Sequence, residues 1–499
     1  MQVQRLVLVA LLGTAACYGV LAMTEPPGPG LEPDSMSYLG AAESLVRHGT
    51  LRIPAASWDD ADSTSPLGHF PPGFPLAIAI PGALGAPPVQ AARGVEAAAA
   101  FATVALAVWL ASACAGAGAG ALAGVLLLAS PSLAFDHWQV ISEPLCLALL
   151  MATLALMLHS RRPLLSGTTA ALAGLVRYAG ASATLAVVLW AFGRSGTLRE
   201  RTRRAALAAA PSTVLYALWV FRTELESGAV RTFGIRGNLG PTVRELLATL
   251  SAWLAPALSP SWVQGLVAIV VGAVAATLLL RAVRLPAGKA EGAAPAAMLL
   301  QRLMRAAGLL AACYAALVIF SRLFVDEGIP LDERLLSPFI LLAEVAAAAA
   351  LYASWKAWQP RARAVGAGVA VLWLAASAWA TVRAVQDATD GGWGYSSDEW
   401  RGSALGEWLR TQARGLPIYS NNPPAVYFLT HRPSRDVPVS LDPDSVGALG
   451  HVLAERGGVL VRFPYDFEPA ASPDSIARRL ALPQLAAFPE GVVWGPPKQ

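Results

Sequence analysis

A polar stretch between two apolar runs reads Glu32-Pro-Asp34-Ser-Met-Ser-Tyr38-Leu-Gly-Ala-Ala-Glu43-Ser-Leu-Val-Arg47-His48-Gly49, and it holds the first residues whose types could do chemistry. A carboxylate at a helix start can act as a general base where a substrate hydroxyl comes within hydrogen-bond reach. It can equally do no more than cap the helix. Asp34 suits an N-cap for a helix beginning at Ser35, with Tyr38 one turn on. The same polar region ends His69-Phe-Pro-Pro-Gly73-Phe-Pro75. Chain stiffness explains its prolines, but gives no reason for His69.

A second acidic group reads Ser130-Pro-Ser-Leu-Ala-Phe-Asp136-His137-Trp-Gln-Val-Ile-Ser142-Glu143-Pro144. Glu143 suits a helix N-terminus, where an anion meets the positive end of the dipole. Asp136, His137 and Glu143 together could also help to hold a divalent cation. Two arginines complete the set. Arg177 lies in the middle of the long apolar stretch 164–193, and Arg334 follows Asp332-Glu333 at the start of another apolar run that also contains Glu344. A charge in or beside a bilayer is costly, so each marks a functional position by default. An arginine held there calls for an anion, either a carboxylate or a lipid phosphate.

The elements that carry these residues are membrane helices. Of the 499 residues, 55% are hydrophobic and only 14% charged, and the mean hydropathy is +0.50. Soluble domains are nearer a quarter charged. The net charge of +4 is small and its basic residues are spread over short loops, so the sequence offers no nucleic-acid surface. Cys17, Cys114, Cys146 and Cys313 all fall in apolar runs, without metal-ligand spacing or a disulfide framework. The first apolar run, after Arg5, is expected to be an uncleaved helix rather than a signal peptide, since Thr14 departs from a lipoprotein cleavage pattern.

About 17–25 apolar residues span the hydrocarbon core. The runs 4–23, 94–112, 118–134, 142–158, 205–221, 262–280, 306–325, 335–355 and 364–384 meet this length. Arginine and lysine gather on the cytoplasmic side of short loops. They cluster here at Arg161-Arg162, Arg194 to Arg204, Arg281 to Arg305 and Lys356 to Arg363. The first two clusters flank 164–193, which predicts a helical hairpin with both ends inside and Arg177 near its tip. Parity then requires that 72–86, interrupted by Pro75 and Pro81, does not cross completely. About eleven crossings result, with the N-terminus cytoplasmic and the C-terminus outside.

The expected fold is therefore an all-α polytopic membrane protein with a small C-terminal α/β extracytoplasmic domain. Residues 1–386 form the membrane domain with outer loops 24–93 and 222–261. Residues 387–499 form the outer domain, where helical patterns at 398–413 and 444–456 alternate with short apolar strands at 416–419 and 458–461.

Taken in order, these motifs resemble the GT-C superfamily of integral membrane glycosyltransferases, in particular bacterial members similar to the protein-mannosyl and aminoarabinose transferases. The match runs through Pro33-Asp34-Ser-Met-Ser-Tyr38, Gly49, Pro71-Pro72-Gly73, Ser142-Glu143-Pro144, Gly174-Leu-Val-Arg177 and Glu333-Arg334-Leu-Leu-Ser-Pro338. The tail, with Ile418-Tyr-Ser-Asn421-Asn-Pro-Pro424, is similar to the outer domain that many such proteins carry. Leu335 stands where the family often has tyrosine. Asp136, seven residues before Glu143, leaves open which acid fills the family's second acidic position.

The resemblance implies an inverting transferase at the outer face of the bacterial cytoplasmic membrane. Its donor would be a polyprenyl-phosphate-linked sugar and its acceptor a hydroxyl of a glycan, lipid or protein. Asp34 would be the base, Arg177 and Arg334 would meet the departing lipid phosphate, and Tyr38 and His69 would contact substrate. The chain has no Gly-rich nucleotide-binding loop, as suits a lipid-linked donor. A transporter would show paired broken helices and mid-membrane polar residues, whereas these charges crowd the outer helix ends. Another lipid-linked-glycan enzyme, a ligase or polymerase, fits the same residues.

Overall fold

The computed structural model describes residues 2–227, 239–256, 258, 261–284, 293–355, 358–464 and 471–496. Parts of the loop 222–261, of the Arg281 to Arg305 cluster and of the tail, together with Lys356, lie outside the described residues. The helices in chain order are α1 (Gln2–Met23), α2 (Pro33–His48), α3 (Gly73–Ala83), α4 (Pro88–Ala115), α5 (Ala117–Leu128), α6 (Pro131–Trp138) and α7 (Glu143–His159). There follow α8 (Pro163–Val176), α9 (Ser182–Gly193), α10 (Leu198–Ser227), α11 (Leu239–Leu254), α12 (Ser261–Arg284), α13 (Ala293–Phe324), α14 (Glu333–Trp355) and α15 (Pro360–Gly391). The tail adds α16 (Asp398–Arg401), α17 (Ala404–Thr411), α18 (Pro423–Thr430), α19 (Pro443–Arg456) and α20 (Pro473–Arg479). The chain divides into two compact units. The first holds Met1–Met23 and Arg93–Asp387, the second Thr24–Ala92 and Ala388–Gln499.

The first unit is a helical membrane bundle. Among the described residues six helices are long and apolar enough to cross a bilayer, one bent pair adds a seventh candidate, and five apolar helices are shorter. The stretch 164–193 is the expected hairpin. Its arms α8 and α9 are joined by a single 3-10 turn at Tyr178–Ala181, and both pack on α10. Small residues let the helices approach: a methyl group on Gly124 would meet Leu12 at 2.6 Å, and one on Gly13 would meet the Phe101 ring at 2.9 Å.

The run 118–134, expected as a span, is broken within its length. α5 and α6 meet at a 61° bend. Pro131 lacks an N–H and its ring would clash with the carbonyl four residues back, so the helix restarts there. The run 72–86 forms only α3, whose eleven residues rise roughly 16 Å and fall short of a core ~30 Å thick.

The second unit is an α/β domain, and it includes more than the tail. Its strands are β1 (Arg52–Ile53), β2 (Ala55–Ala56), β3 (Ser65–Pro66), β4 (Ile418–Ser420), β5 (Ser434–Arg435), β6 (Val459–Arg462), β7 (Gln484–Phe488) and β8 (Gly491–Trp494). β1 pairs with β3, and the other six form one sheet in the order β2-β5-β4-β6-β8-β7. The first four of these are parallel and the last two antiparallel. β4 and β6 are apolar and buried, as interior parallel strands must be. The core gathers Tyr419, Leu449, Leu453, Leu460, Ile476 and Trp494.

The loop 24–93, expected as an appendage of the membrane domain, supplies β2 and thereby folds with the tail. Asp436 N–H donates to the Ala56 carbonyl at 2.9 Å, and Trp58 packs on the core while its N–H donates to the Asp436 carboxylate at 2.8 Å.

Candidate active site

In the first unit the candidate residues converge on Glu143. Its carboxylate, 1% exposed, opens α7 and accepts from two guanidiniums through the same oxygen, Oε1. One is Arg177 Nη1 at 2.5 Å and the other is Arg334 Nε. Arg177 is where α8 ends: its backbone is extended, its N–H donates to the Ala173 carbonyl, and its side chain leaves the hairpin at the tip. Arg334 stands in the first turn of α14. The anion that Arg177 was expected to need is thus a carboxylate in this chain, 34 residues earlier in sequence.

Around this triad lie other acids. Asp136 on α6 is wholly buried, with the Ser337 hydroxyl as a polar neighbour. Glu333 accepts from Ser132 Oγ at 2.7 Å, and Glu344 accepts from Ser130 Oγ at 3.1 Å and Trp253 Nε1 at 3.0 Å. Both serines belong to the α5–α6 break, so α14 holds the broken span by two side-chain bonds. Glu344, a carboxylate inside an apolar run and so a candidate hydrogen-bond partner in the bundle interior, is a tie between α14, α11 and that break.

A divalent cation at Asp136, His137 and Glu143, which the residue types allow, finds no support in these side chains. Glu143 is occupied by two cations, and His137 Nδ1 bonds the Leu133 carbonyl of its own helix at 2.7 Å. Among the described residues no three His, Cys, Asp or Glu side chains group as metal ligands do.

In the second unit Asp34 sits half-buried in the first turn of α2, but it is not the cap. Pro33 takes the first helical position, which needs no N–H and suits its fixed φ, so the helix begins earlier than expected and Glu32 becomes the N-cap. Ser35 Oγ accepts from the Glu32 N–H at 2.9 Å, closing a capping box.

The tail secures this helix start. Leu31 and Gly394 form an isolated parallel bridge, with Tyr395 N–H donating to the Leu31 carbonyl at 2.8 Å. Trp393 Nε1 donates to Glu32 Oε1 at 2.6 Å. Farther along α2, Tyr427 O–H donates to Glu43, which also pairs with Arg47 at 2.7 Å. Burial, and then the Glu43 carboxylate, hold the Tyr427 hydroxyl above the ordinary phenol range.

The other two candidates of this unit differ from each other. The Tyr38 ring is enclosed by Phe70 and Phe74, with centroids 4.8 and 5.1 Å away, which makes it a core residue. His69 is exposed with its ring edge-on to Phe70.

Sequence reasoning passed over Glu96, although a carboxylate inside the apolar run 94–112 is itself a signal. It is 2% exposed on α4 and accepts from the Ile141 N–H at 3.3 Å, two residues before Glu143. It also passed over Arg322 and Glu245, which pair at 2.6 Å.

No protein-family model and no curated protein sequence matches the chain. Solved structures do. The chain is similar to ArnT from Cupriavidus metallidurans bound to undecaprenyl phosphate, at 15% identity and a TM-score of 0.62, over 98% of this chain and 97% of that one. It is similar to the mycobacterial arabinofuranosyltransferase AftD at 16% identity and a TM-score of 0.55, over 98% of this chain and 41% of that one. The Archaeoglobus fulgidus oligosaccharyltransferase matches 91% of this chain and 69% of its own length, at 10% identity and a TM-score of 0.52. At such identities the likeness shows the fold alone, and this chain carries that fold over nearly its whole length.

Proposed function

We propose that the protein is an inverting glycosyltransferase that moves a sugar from a polyprenyl-phosphate carrier to an acceptor hydroxyl at the outer face of a bacterial cytoplasmic membrane, its N-terminus inside and its C-terminus outside. The observation that carries this reading is the convergence of Arg177 and Arg334, both partly exposed, on one buried carboxylate. Arginine forks match phosphate oxygens as well as they match carboxylates, and a fixed pair of them can meet charge as it develops on a leaving phosphate. The solved ArnT of similar fold, bound to undecaprenyl phosphate, supports a carrier of that class.

In this mechanism Asp34 takes the proton of the acceptor hydroxyl. The freed oxygen forms a bond to the anomeric carbon from the side opposite the carrier, which inverts that carbon. The bond from the anomeric carbon to the phosphate oxygen breaks, and its electron pair stays on the carrier phosphate, where Arg177 and Arg334 balance it. Glu143 sets the spacing of the two guanidiniums, and Asp136 remains the other acid available to this half of the chemistry. His69, being exposed, can face substrate, whereas Tyr38 supports the helix that presents Asp34.

The test is Asp34→Asn. In the first turn of α2 this change keeps the side chain's size and an accepting oxygen, and the charge–dipole attraction it gives up is worth about 0.3–1 kcal/mol. A positioned base is worth ~10²–10⁴-fold in rate. Transfer of labelled sugar from the lipid carrier in membranes, compared at matched protein level, should fall by that factor with little loss of folded protein. Near-normal turnover would remove Asp34 from the mechanism.

A further inference from the structure

Three residues before Arg334, one backbone residue is held from both sides. Glu245 Oε1 on α11 accepts from the Leu331 N–H at 2.8 Å, and Thr249 Oγ1, one turn farther along α11, donates to the Leu331 carbonyl at 2.6 Å. Glu245 Oε2 pairs with Arg322 at the end of α13 at 2.6 Å. Arg322, 8% exposed, in turn donates to Thr242 Oγ1 at 3.2 Å and to the Ile329 carbonyl. The side chains of α11 thus treat Leu331 as a neighbouring strand would, capturing its donor and its acceptor together.

The chain between this clasp and Arg334 has little freedom. Asp332 accepts from the Leu335 N–H at 2.8 Å, and Tyr314 O–H donates to the Leu335 carbonyl at 2.6 Å. Leu331 and Leu335 share a buried cluster with Tyr314 and Val318, against which pack Leu246 of α11 and Ala179 of the hairpin turn, two residues past Arg177. Both ends of α11 are tied, since Trp253 near its C-terminus reaches Glu344 in the middle of α14.

We infer that α11 is a strap that sets the position of Arg334, and that Glu245, Thr249 and Arg322 are positioning residues acting through it. They touch no reacting group. They fix the backbone from which Arg334 reaches Glu143, and only the role of Arg334 toward a phosphate rests on the transferase reading. Small displacements of a charge-stabilising group can cost about a hundredfold in rate, so such a strap has leverage.

The experiment uses the full-length protein in detergent. Two measurements are read by peptide mass spectrometry: amide hydrogen exchange across 329–335, and the rate at which a dicarbonyl arginine reagent modifies Arg334. Thr249→Val should raise both rates roughly three- to tenfold, the factor that one lost hydrogen bond is worth. Glu245→Gln, which breaks the ion pair, should raise them further, while Thr249→Ser, which keeps the hydroxyl, should restore the original rates. An unchanged Arg334 rate in folded Thr249→Val and Glu245→Gln overturns the inference.

Binding of undecaprenyl phosphate then separates positioning from general stability. Glu245→Gln should weaken it severalfold in the native background and not at all beside Arg334→Ala. An equal loss in both backgrounds would make α11 merely structural and overturn the inference. If the unaltered protein binds no undecaprenyl phosphate, the transferase reading loses its donor class, and the Arg334 modification rates still decide whether the strap exists.

Discussion

Two helix starts carry the residues proposed for chemistry, and they are fixed in different ways. α2, with Asp34, is secured by backbone: Leu31 pairs with Gly394 as two strands would, about 360 residues apart in the chain. α14, with Arg334, is secured by side chains: Glu245 and Thr249 hold Leu331, and Glu143 holds the guanidinium itself. A side-chain tie can be cut by one conservative substitution. A backbone tie survives most substitutions and fails only where a new atom forces the strands apart. The two starts therefore should differ in which mutations they tolerate.

Glu143→Ala should have the largest effect, because it strips the shared counterion from two partly buried guanidiniums. Breaking a buried pair by removing one partner typically costs about 3–5 kcal/mol. Thermal unfolding of the purified protein should show that loss in the first unit, with Glu143→Gln less severe since an amide oxygen still accepts. An unaltered transition would mean that Arg177 and Arg334 find other anions nearby, and the triad would lose its place in the mechanism.

Gly394→Ala comes next and strikes the other helix start. Gly394 has φ +57° and a β-carbon there would press into the Leu31 carbonyl. A non-glycine residue in this left-handed region, plus the clash, should cost about 1–3 kcal/mol. Limited proteolysis should open the tail near 388–396 while the hairpin peptides stay protected. Replacing neighbouring Trp393 by Phe, which removes one side-chain bond and leaves the backbone bridge, should do much less. Equal sensitivity of the two variants would erase the distinction drawn between the helix starts.

The membrane half was the more legible of the two, for a physical reason. Burying charge in a bilayer is costly, so Arg177 inside an apolar stretch and Arg334 at the start of an apolar helix stand out without any knowledge of contacts. The hairpin likewise followed from positive charge on both flanks. Their common partner did not, since Glu143 is 191 residues from Arg334 and equally suited to a helix dipole. Pro131 was visible, yet a run of apolar residues concealed that it breaks the span.

The α/β unit conceals more. β2 is two alanines, too short to carry a period-2 signal, and it acquires its place only through partners such as the Trp58–Asp436 bond across 378 residues. Asp34 suits an N-cap by residue type, but proline at the first helical position starts the helix at Pro33 and hands the cap to Glu32.

The smallest predicted effect concerns acid. The Leu331 N–H, and then Arg322, hold the Glu245 carboxyl below its usual range. A carboxylate whose folded pKa is depressed stabilises the fold above its unfolded value, about 4.3, and loses that contribution as pH falls through the lower folded value. The α11 clasp should therefore be intact at neutral pH and loosen only below about pH 4. The backbone bridge at Gly394 contains no titrating group, though Glu32 beside it does. Hydrogen exchange corrected for the intrinsic pH dependence should show 329–335 losing protection on acidification in the native protein. Glu245→Gln should show reduced protection at neutral pH that changes little with acid, because the titrating group is gone. Because Glu245 is partly exposed, the change should be modest, a severalfold loss of protection rather than unfolding. A pH profile identical in the native and Gln proteins would mean that Thr249 and the apolar cluster alone hold Leu331, and the tie at α14 would then depend less on charge than the tie of Glu143 to its arginines.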